Sequence, residues 1–302
     1  MNKLIVVLGP TGVGKSDISI QLAKYFSTDI ISADSRQFFR ELSIGTAVPN
    51  EDDLKSVCHH FIQTRSIHEY YNVSEFETEV IQLLSQLFTK KNPLILTGGS
   101  MLYIDTICKG IDDIPTVTPE IRDEVTSWFE ENGMSALQQR LLSLDPDYYS
   151  IVDLNNPKRL LHAVEICQMT GKTFTSFRKN TIRERPFRII KIGINQDRDI
   201  LYQRINERVE RMMEAGLLDE ARSVYAYRHL NSLNTVGYKE LFAYFDGNCT
   251  LEEAVDLIKR NSRKYARKQL TWFRRDKEIN WFEPTQLQEI IAFTEQQIKH
   301  DR

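Results

Sequence analysis

Residues 4–26 read LIVVLGPTGVGKSDISIQLAKYF, and this stretch decides the fold. The run 4–8 is wholly apolar and ends in glycine, which predicts a strand buried on both faces, as in parallel sheets. Gly9-Pro10-Thr11-Gly12-Val13-Gly14-Lys15-Ser16 follows and fits G-x-x-x-x-G-K-[ST]. Ile18, Leu22 and Phe26 then recur every four residues, which predicts a helix over 15–26. Strand, glycine loop and helix in that order make a phosphate cradle. The glycines let the N–H groups of residues 12–16 converge on an anion, and the helix N-terminus adds partial positive charge. Lys15 neutralises phosphate charge, and the Ser16 hydroxyl is suited to Mg²⁺. The competing reading is a plain glycine turn entering a helix. What the loop specifies is phosphate or diphosphate; a nucleotide does not follow from it.

Outward from the loop, the grammar continues. Residues 29–33 (DIISA) read as a second strand ending at Asp34. Phe76, Val80, Leu83, Leu84 and Leu87 share one side of a helix over 74–88, and 93–97 (PLILT) reads as a third strand running into Gly98-Gly99-Ser100. Alternating strands and helices predict a parallel α/β sheet. After Gly110 the pattern changes. A linker rich in Pro, Asp and Thr spans 112–119, and only helical pattern follows to about 177, with Gly171 as a stop. Residues 188–194 (RIIKIGI) read as a strand returning to the sheet. Residues 200–275 are helical, broken near 231–237 and 246–250, and Trp281-Phe282 closes with a short strand.

The chain has 302 residues, 41% hydrophobic and 27% charged, which excludes disordered, collagen-like and membrane classes. The length suits roughly two domains, or one with an insertion. Net charge is −3, but residues 1–180 carry 17 basic and 23 acidic side chains while 181–302 carry 22 and 19. A locally basic tail keeps a nucleic-acid partner open. The four cysteines, Cys58, Cys108, Cys167 and Cys249, lie far apart with no C-x-x-C, so free thiols in a reducing compartment are expected. No signal peptide and no membrane span is spelled, and a cytoplasmic location is expected.

Two further elements sit at predicted strand ends, where parallel sheets place their ligands. Asp34-Ser35-Arg36-Gln37 follows the second strand; Asp34 reads as Mg²⁺ ligand, general base or helix cap. Gly98-Gly99-Ser100 follows the third, offering close backbone approach and a hydroxyl, or simply a tight turn. No apolar strand capped by Asp stands where nucleotide hydrolysis needs one, which favours a diphosphate that leaves over a nucleotide that is cut. The segment 259–275, KRNSRKYARKQLTWFRR, holds eight Lys/Arg and no acid. Lys259, Arg263 and Arg267 recur at every fourth position, as do Arg260, Lys264 and Lys268, predicting one broad basic face on a helix. Ile258, Tyr265 and Trp272 are expected to pack inward. A solvated face is the plain reading; unbalanced charge favours a polyanion against it.

These pieces together resemble the tRNA dimethylallyltransferases, also called tRNA isopentenyltransferases. The marks are GPTGVGKS (9–16), ISADSRQ (31–37), IGTAVP (44–49), HHF (59–61), TGGSMLYI (97–104), NPKRLLHAVEICQMTGK (156–172), RVERMMEAGLLDE (208–220), TVGYKE (235–240) and RKQLTWFRR (267–275). Phe39, Val48, Gln63 and His162 depart from the family's usual Tyr, Lys, Asp and Arg.

The resemblance implies an α/β fold with a P-loop NTPase-like parallel-sheet core, a helical insertion domain and a helical C-terminal part. The core would comprise 1–112 and 186–302, and the insertion, 113–185, would grip the tRNA anticodon arm. It implies transfer of a dimethylallyl group from its diphosphate to the exocyclic amine of the adenosine 3′ of the anticodon, with Mg²⁺, by a monomer. Asp34, Ser100 and Arg208 would be catalytic. Gly9, Thr11, Gly12, Val13, Gly14, Lys15 and Ser16 would bind diphosphate, with Ser16 on the metal. The tRNA would meet Asp34, Ser35, Arg36, Gln37 and Ser100 at the site. Arg122, Lys158 and Arg159 would touch it on the insertion, and Tyr238, Lys239, Arg263, Lys264, Arg267 and Lys268 beyond it. Three alternatives remain: prenylation of free adenylate, a small-molecule kinase, and a non-catalytic RNA-binding relative.

Overall fold

The computed structural model describes residues 1–179 and 182–299. They divide into two compact units, Met1–Lys109 with Glu184–Arg302, and Gly110–Arg183.

The larger unit is built on a six-stranded sheet, all parallel: β1 (Lys3–Leu8), β2 (Ile30–Ser32), β3 (His59–His60), β4 (Leu94–Gly98), β5 (Arg188–Ile194) and β6 (Asn280–Phe282). Their order is β3-β2-β4-β1-β5-β6, with β1 central. Every residue of β1 is buried, because helices cover both faces. The period of two decides the layers. Leu4, Val6 and Leu8 face one core with α3 (Val73–Leu87) and α4 (Met101–Lys109), while Ile5 and Val7 face a second with α1 (Lys15–Phe26). Helix α2 (Glu51–Ser56) precedes β3.

The smaller unit is helical: α5 (Pro119–Leu144), α6 (Pro146–Ile151), α7 (Pro157–Thr170) and α8 (Phe174–Phe177). Gly133, at φ 76°, interrupts α5, so its two halves are separate helices. Helix α7 opens with an Asn156 cap and Pro157, and stops at Gly171 in the left-handed region, as helix ends require. Asp145 is fully buried and is satisfied by the N–H groups of Tyr148 and Thr175 and the Thr175 hydroxyl. Arg185 does not belong with this unit, although the sequence placed it there. Its guanidinium pairs with Glu77 and donates to the Ile107 carbonyl at 2.9 Å.

The chain then forms α9 (Arg198–Glu214), α10 (Leu217–Val224), α11 (Tyr238–Phe245), α12 (Leu251–Phe273) and α13 (Leu287–Lys299). Helices α9 to α12 share a third core around Leu217, Tyr238, Leu241 and Ile258. Helix α12 starts with a reciprocal cap between Thr250 and Glu253. Helices α4 and α13 carried no signal that our reading of the sequence used.

Candidate active site

The site is assembled at the carboxyl ends of β1, β2 and β4, and closed by α9 and α12. From β1 the chain enters the phosphate loop. A side chain at Gly9 would run into the Ile194 carbonyl oxygen of neighbouring β5, so only glycine fits there. Lys15 folds back over the loop and donates to the Pro10 carbonyl at 2.8 Å. Burial, then the charge of Arg208, push its ammonium down to about 7, against the raising influence of Asp34. The cradle thus holds cations that lack a full counter-charge. The Thr11 N–H is taken by a side chain: it donates to Gln269 Oε1 at 2.8 Å, and Gln269 Nε2 donates to the Gly99 carbonyl at 2.8 Å. Val13 is buried and anchors the loop, whereas Ser16 is exposed at the first turn of α1.

The β2 end supplies the carboxylate. Asp34 Oδ1 accepts the Arg36 N–H at 3.0 Å, a local turn that aims the side chain. Its Oδ2 has no hydrogen-bond partner among the described residues. Ser100, buried after β4, accepts the Ser35 N–H at 2.9 Å and donates to the Ser35 hydroxyl at 3.1 Å. The two strand ends are therefore locked together. Gln37 is spent internally, donating to the Thr46 and Ala47 carbonyls and accepting from Ser32. Arg36 donates to the Asn231 and Ser232 carbonyls, and burial works against its charge. It holds the 231–234 segment in place.

From α9, Arg208 Nη1 donates to the Thr11 hydroxyl at 3.3 Å, so a guanidinium stands over the phosphate loop. Burial opposes its charge and Asp34 offsets that. Thr11, Asp34, Ser100 and Arg208 all line one cavity of about 470 Å³. Lys239, Lys264 and Lys268 stand on its wall, exposed.

Several expectations are corrected here. Tyr238 is fully buried, and its hydroxyl donates to Glu220 at 2.6 Å. The same carboxylate accepts the N–H groups of Ser43, Ile44 and Gly45, so Tyr238 braces a loop and has no surface for RNA. Tyr265 does not pack inward; it lines the cavity, its phenol pushed up to about 12 by burial and then by Asp34. The basic face of α12 is split three ways. Lys259 pairs with Glu210 at 2.9 Å and Arg263 donates to Asn206 at 2.5 Å, so acid and amide on α9 occupy that row. Lys264 and Lys268 face the cavity, while Arg267 lies on a different cleft. Gln269 was missed, since a lone Gln in a basic helix carries no signal. On the helical unit, Lys158 and Arg159 are exposed at the first turn of α7 and Arg122 is half-buried.

A sequence model of the IPP transferase family matches residues 37–276. The chain is 58% identical over 293 residues to tRNA dimethylallyltransferase 1 of Bacteroides thetaiotaomicron, covering 97% of this chain and 95% of that protein. It is similar to the solved full-length tRNA isopentenylpyrophosphate transferase of Bacillus halodurans, with TM-score 0.72, 35% identity and coverage of 98% and 96%. A eukaryotic dimethylallyltransferase, described as acting on tRNA, gives TM-score 0.82 at 25% identity, with coverage of 99% and 80%.

Proposed function

The chain belongs to the IPP transferase family of tRNA dimethylallyltransferases, and from that premise we propose that its cavity joins dimethylallyl diphosphate to the exocyclic amine of the adenosine 3′ of the tRNA anticodon. One observation carries this reading: Thr11 of the phosphate loop, the Arg208 that bonds it and the Asp34 carboxylate line the same cavity. The adenine amine is a weak nucleophile because its lone pair is delocalised. It attacks the allylic carbon as the carbon–oxygen bond to diphosphate breaks. The amine then loses a proton, and Asp34 Oδ2 is the acceptor in reach of the cavity. The leaving diphosphate gains negative charge. The N–H groups of residues 12–16, Lys15 and Arg208 are placed to stabilise that charge more in the transition state, where it is developing, than in the bound donor.

The Ser16 hydroxyl, with the diphosphate oxygens, is a hard oxygen donor set of the kind Mg²⁺ takes. When bound there, Mg²⁺ would neutralise charge on the departing diphosphate.

A base reaches this cavity only by leaving its stack. Ser100 and the Tyr265 ring line the space it would enter, and Lys239, Lys264 and Lys268 offer charge to the strand around it. Arg122, Lys158 and Arg159 would meet the anticodon arm on the helical unit. Arg36, Gln37 and Ser35 shape the site from within the protein. No helix among the described residues is long and apolar enough to cross a membrane, and a tRNA acceptor supports a cytoplasmic setting.

The test offers labelled dimethylallyl diphosphate with anticodon stem-loop RNA or with AMP. Label in the RNA with release of diphosphate is expected. Label in AMP alone would favour the free-adenylate reading, and RNA binding without transfer the non-catalytic one.

A further inference from the structure

A second cleft, of about 310 Å³, opens beyond the carboxyl end of β5, between the start of α9 and the last turns of α12. Three observations about it stand together. Asn195 Oδ1, Gln196 Nε2 and the Tyr202 hydroxyl are buried without a hydrogen-bond partner among the described residues, and all three residues line the cleft. Such orphans are rare in folded proteins, because burial strips water from a polar atom and returns nothing. Arg198, Arg267 and Arg274 also line it; all are exposed, and none is paired with a carboxylate among the described residues. Arg198 lies over the Tyr202 ring at 5.1 Å, which orients its guanidinium. Asp197, the nearby acid, is turned away to cap α9 on the N–H groups of Asp199 and Ile200.

Water would satisfy the orphaned atoms, but three guanidinium groups gathered at one cleft without a carboxylate among the described residues raise a positive potential that favours an anion. A phosphate would answer both, since guanidinium, amide N–H and phenol all donate to phosphate oxygens once the covered Gln196 and Tyr202 side chains turn to meet it. Asn195 Oδ1 is an acceptor, and it calls for a hydroxyl beside that phosphate. Leu201 and Leu270 supply an apolar floor suited to a sugar ring. We propose that this cleft is a ribose-phosphate site, separate from the phosphate loop. The ligand is either a nucleotide of an RNA strand or a free ribonucleotide, with the same chemistry. The first source would rest on the tRNA reading above; the site itself does not.

The probe is ribose 5-phosphate, titrated by calorimetry into the wild type, Arg198→Gln/Arg274→Gln and Lys15→Ala. Both arginines are exposed, so the double variant keeps its fold. Its affinity should fall by about tenfold or more, the loss expected for charge-assisted bonds, while Lys15→Ala leaves it unchanged. Deoxyribose 5-phosphate should bind the wild type more weakly, and Asn195→Leu should erase that preference. Anticodon-arm RNA is then titrated into wild type and double variant. A parallel loss identifies an RNA strand as the source; an unchanged RNA affinity identifies a free ribonucleotide. RNA that fails to bind even the wild type would sink the tRNA reading and leave this one standing. Ribose 5-phosphate that fails to bind, binds the double variant equally, or is lost only in Lys15→Ala overturns the site. Equal binding of the deoxy sugar overturns the role of Asn195.

Discussion

Gln269, buried in α12, accepts the Thr11 N–H and donates to the Gly99 carbonyl, each at 2.8 Å. One amide from late in the chain thus ties the phosphate loop to the turn after β4. Replacing it with Leu leaves the buried Gly99 carbonyl unpaired, at ~1–3 kcal/mol, and frees the half-buried Thr11 N–H. Gln269→Leu should lower the melting temperature and reduce kcat, with Gln269→Glu, which keeps the acceptor, intermediate in both. Wild-type kcat in the Leu variant would show that the tie does not shape the site.

Asp34→Asn preserves shape but cannot take the proton. The single-turnover rate at saturating donor should fall by ~10²–10⁴, with donor and RNA affinities little changed. A rate near wild type would reassign Asp34 as a structural cap.

Lys15 offers a pH signature. Its ammonium sits at about 7 in the free protein, far below its ordinary 10.5, because burial disfavours the charge. Between those values the unfolded chain holds a proton that the folded one has released, so this group adds stability to the free protein as pH rises through that window. Diphosphate restores the charge. Binding near pH 8 should take up close to one proton, read by calorimetry in buffers of different ionisation enthalpy, and Lys15→Met should abolish the uptake. Equal proton counts in both proteins would refute it. Lys15→Ala and Arg208→Ala should each slow transfer by roughly 10²–10³, the cost of a lost donor to a developing anion.

The split basic helix separates two kinds of cation. Lys264→Glu/Lys268→Glu should weaken anticodon-arm binding and flatten its salt dependence by roughly one unit per lost contact, leaving donor affinity unchanged. Lys259→Glu and Arg263→Glu should instead act through stability, since those side chains face Glu210 and Asn206 on α9. The reverse pattern would restore the uniform stripe.

Tyr238→Phe removes one of four bonds to Glu220. A bond to a charged group contributes ~1.5–3 kcal/mol, and denaturant melts should show a loss of that order. RNA affinity should hold; a large drop without loss of stability would return Tyr238 to the RNA surface.

What the sequence by itself determined was local. An apolar run, a glycine loop and a fourfold helical period depend on neighbours in the chain, and β1, the phosphate loop and α1 formed where those signals stood. The stop at Gly171 was likewise readable, because a helix end is a property of a few consecutive residues. What only the tertiary structure decided was which side of each helix found a partner. Lys259 and Lys268 look alike in sequence, yet one meets Glu210 and the other an open cavity. Tyr238 and Tyr265 exchanged their expected surroundings for the same reason: burial is set by what packs against a helix, and besides the neighbouring α11, α12 packs against α9, α4 and the phosphate loop, tens to hundreds of residues away in the chain.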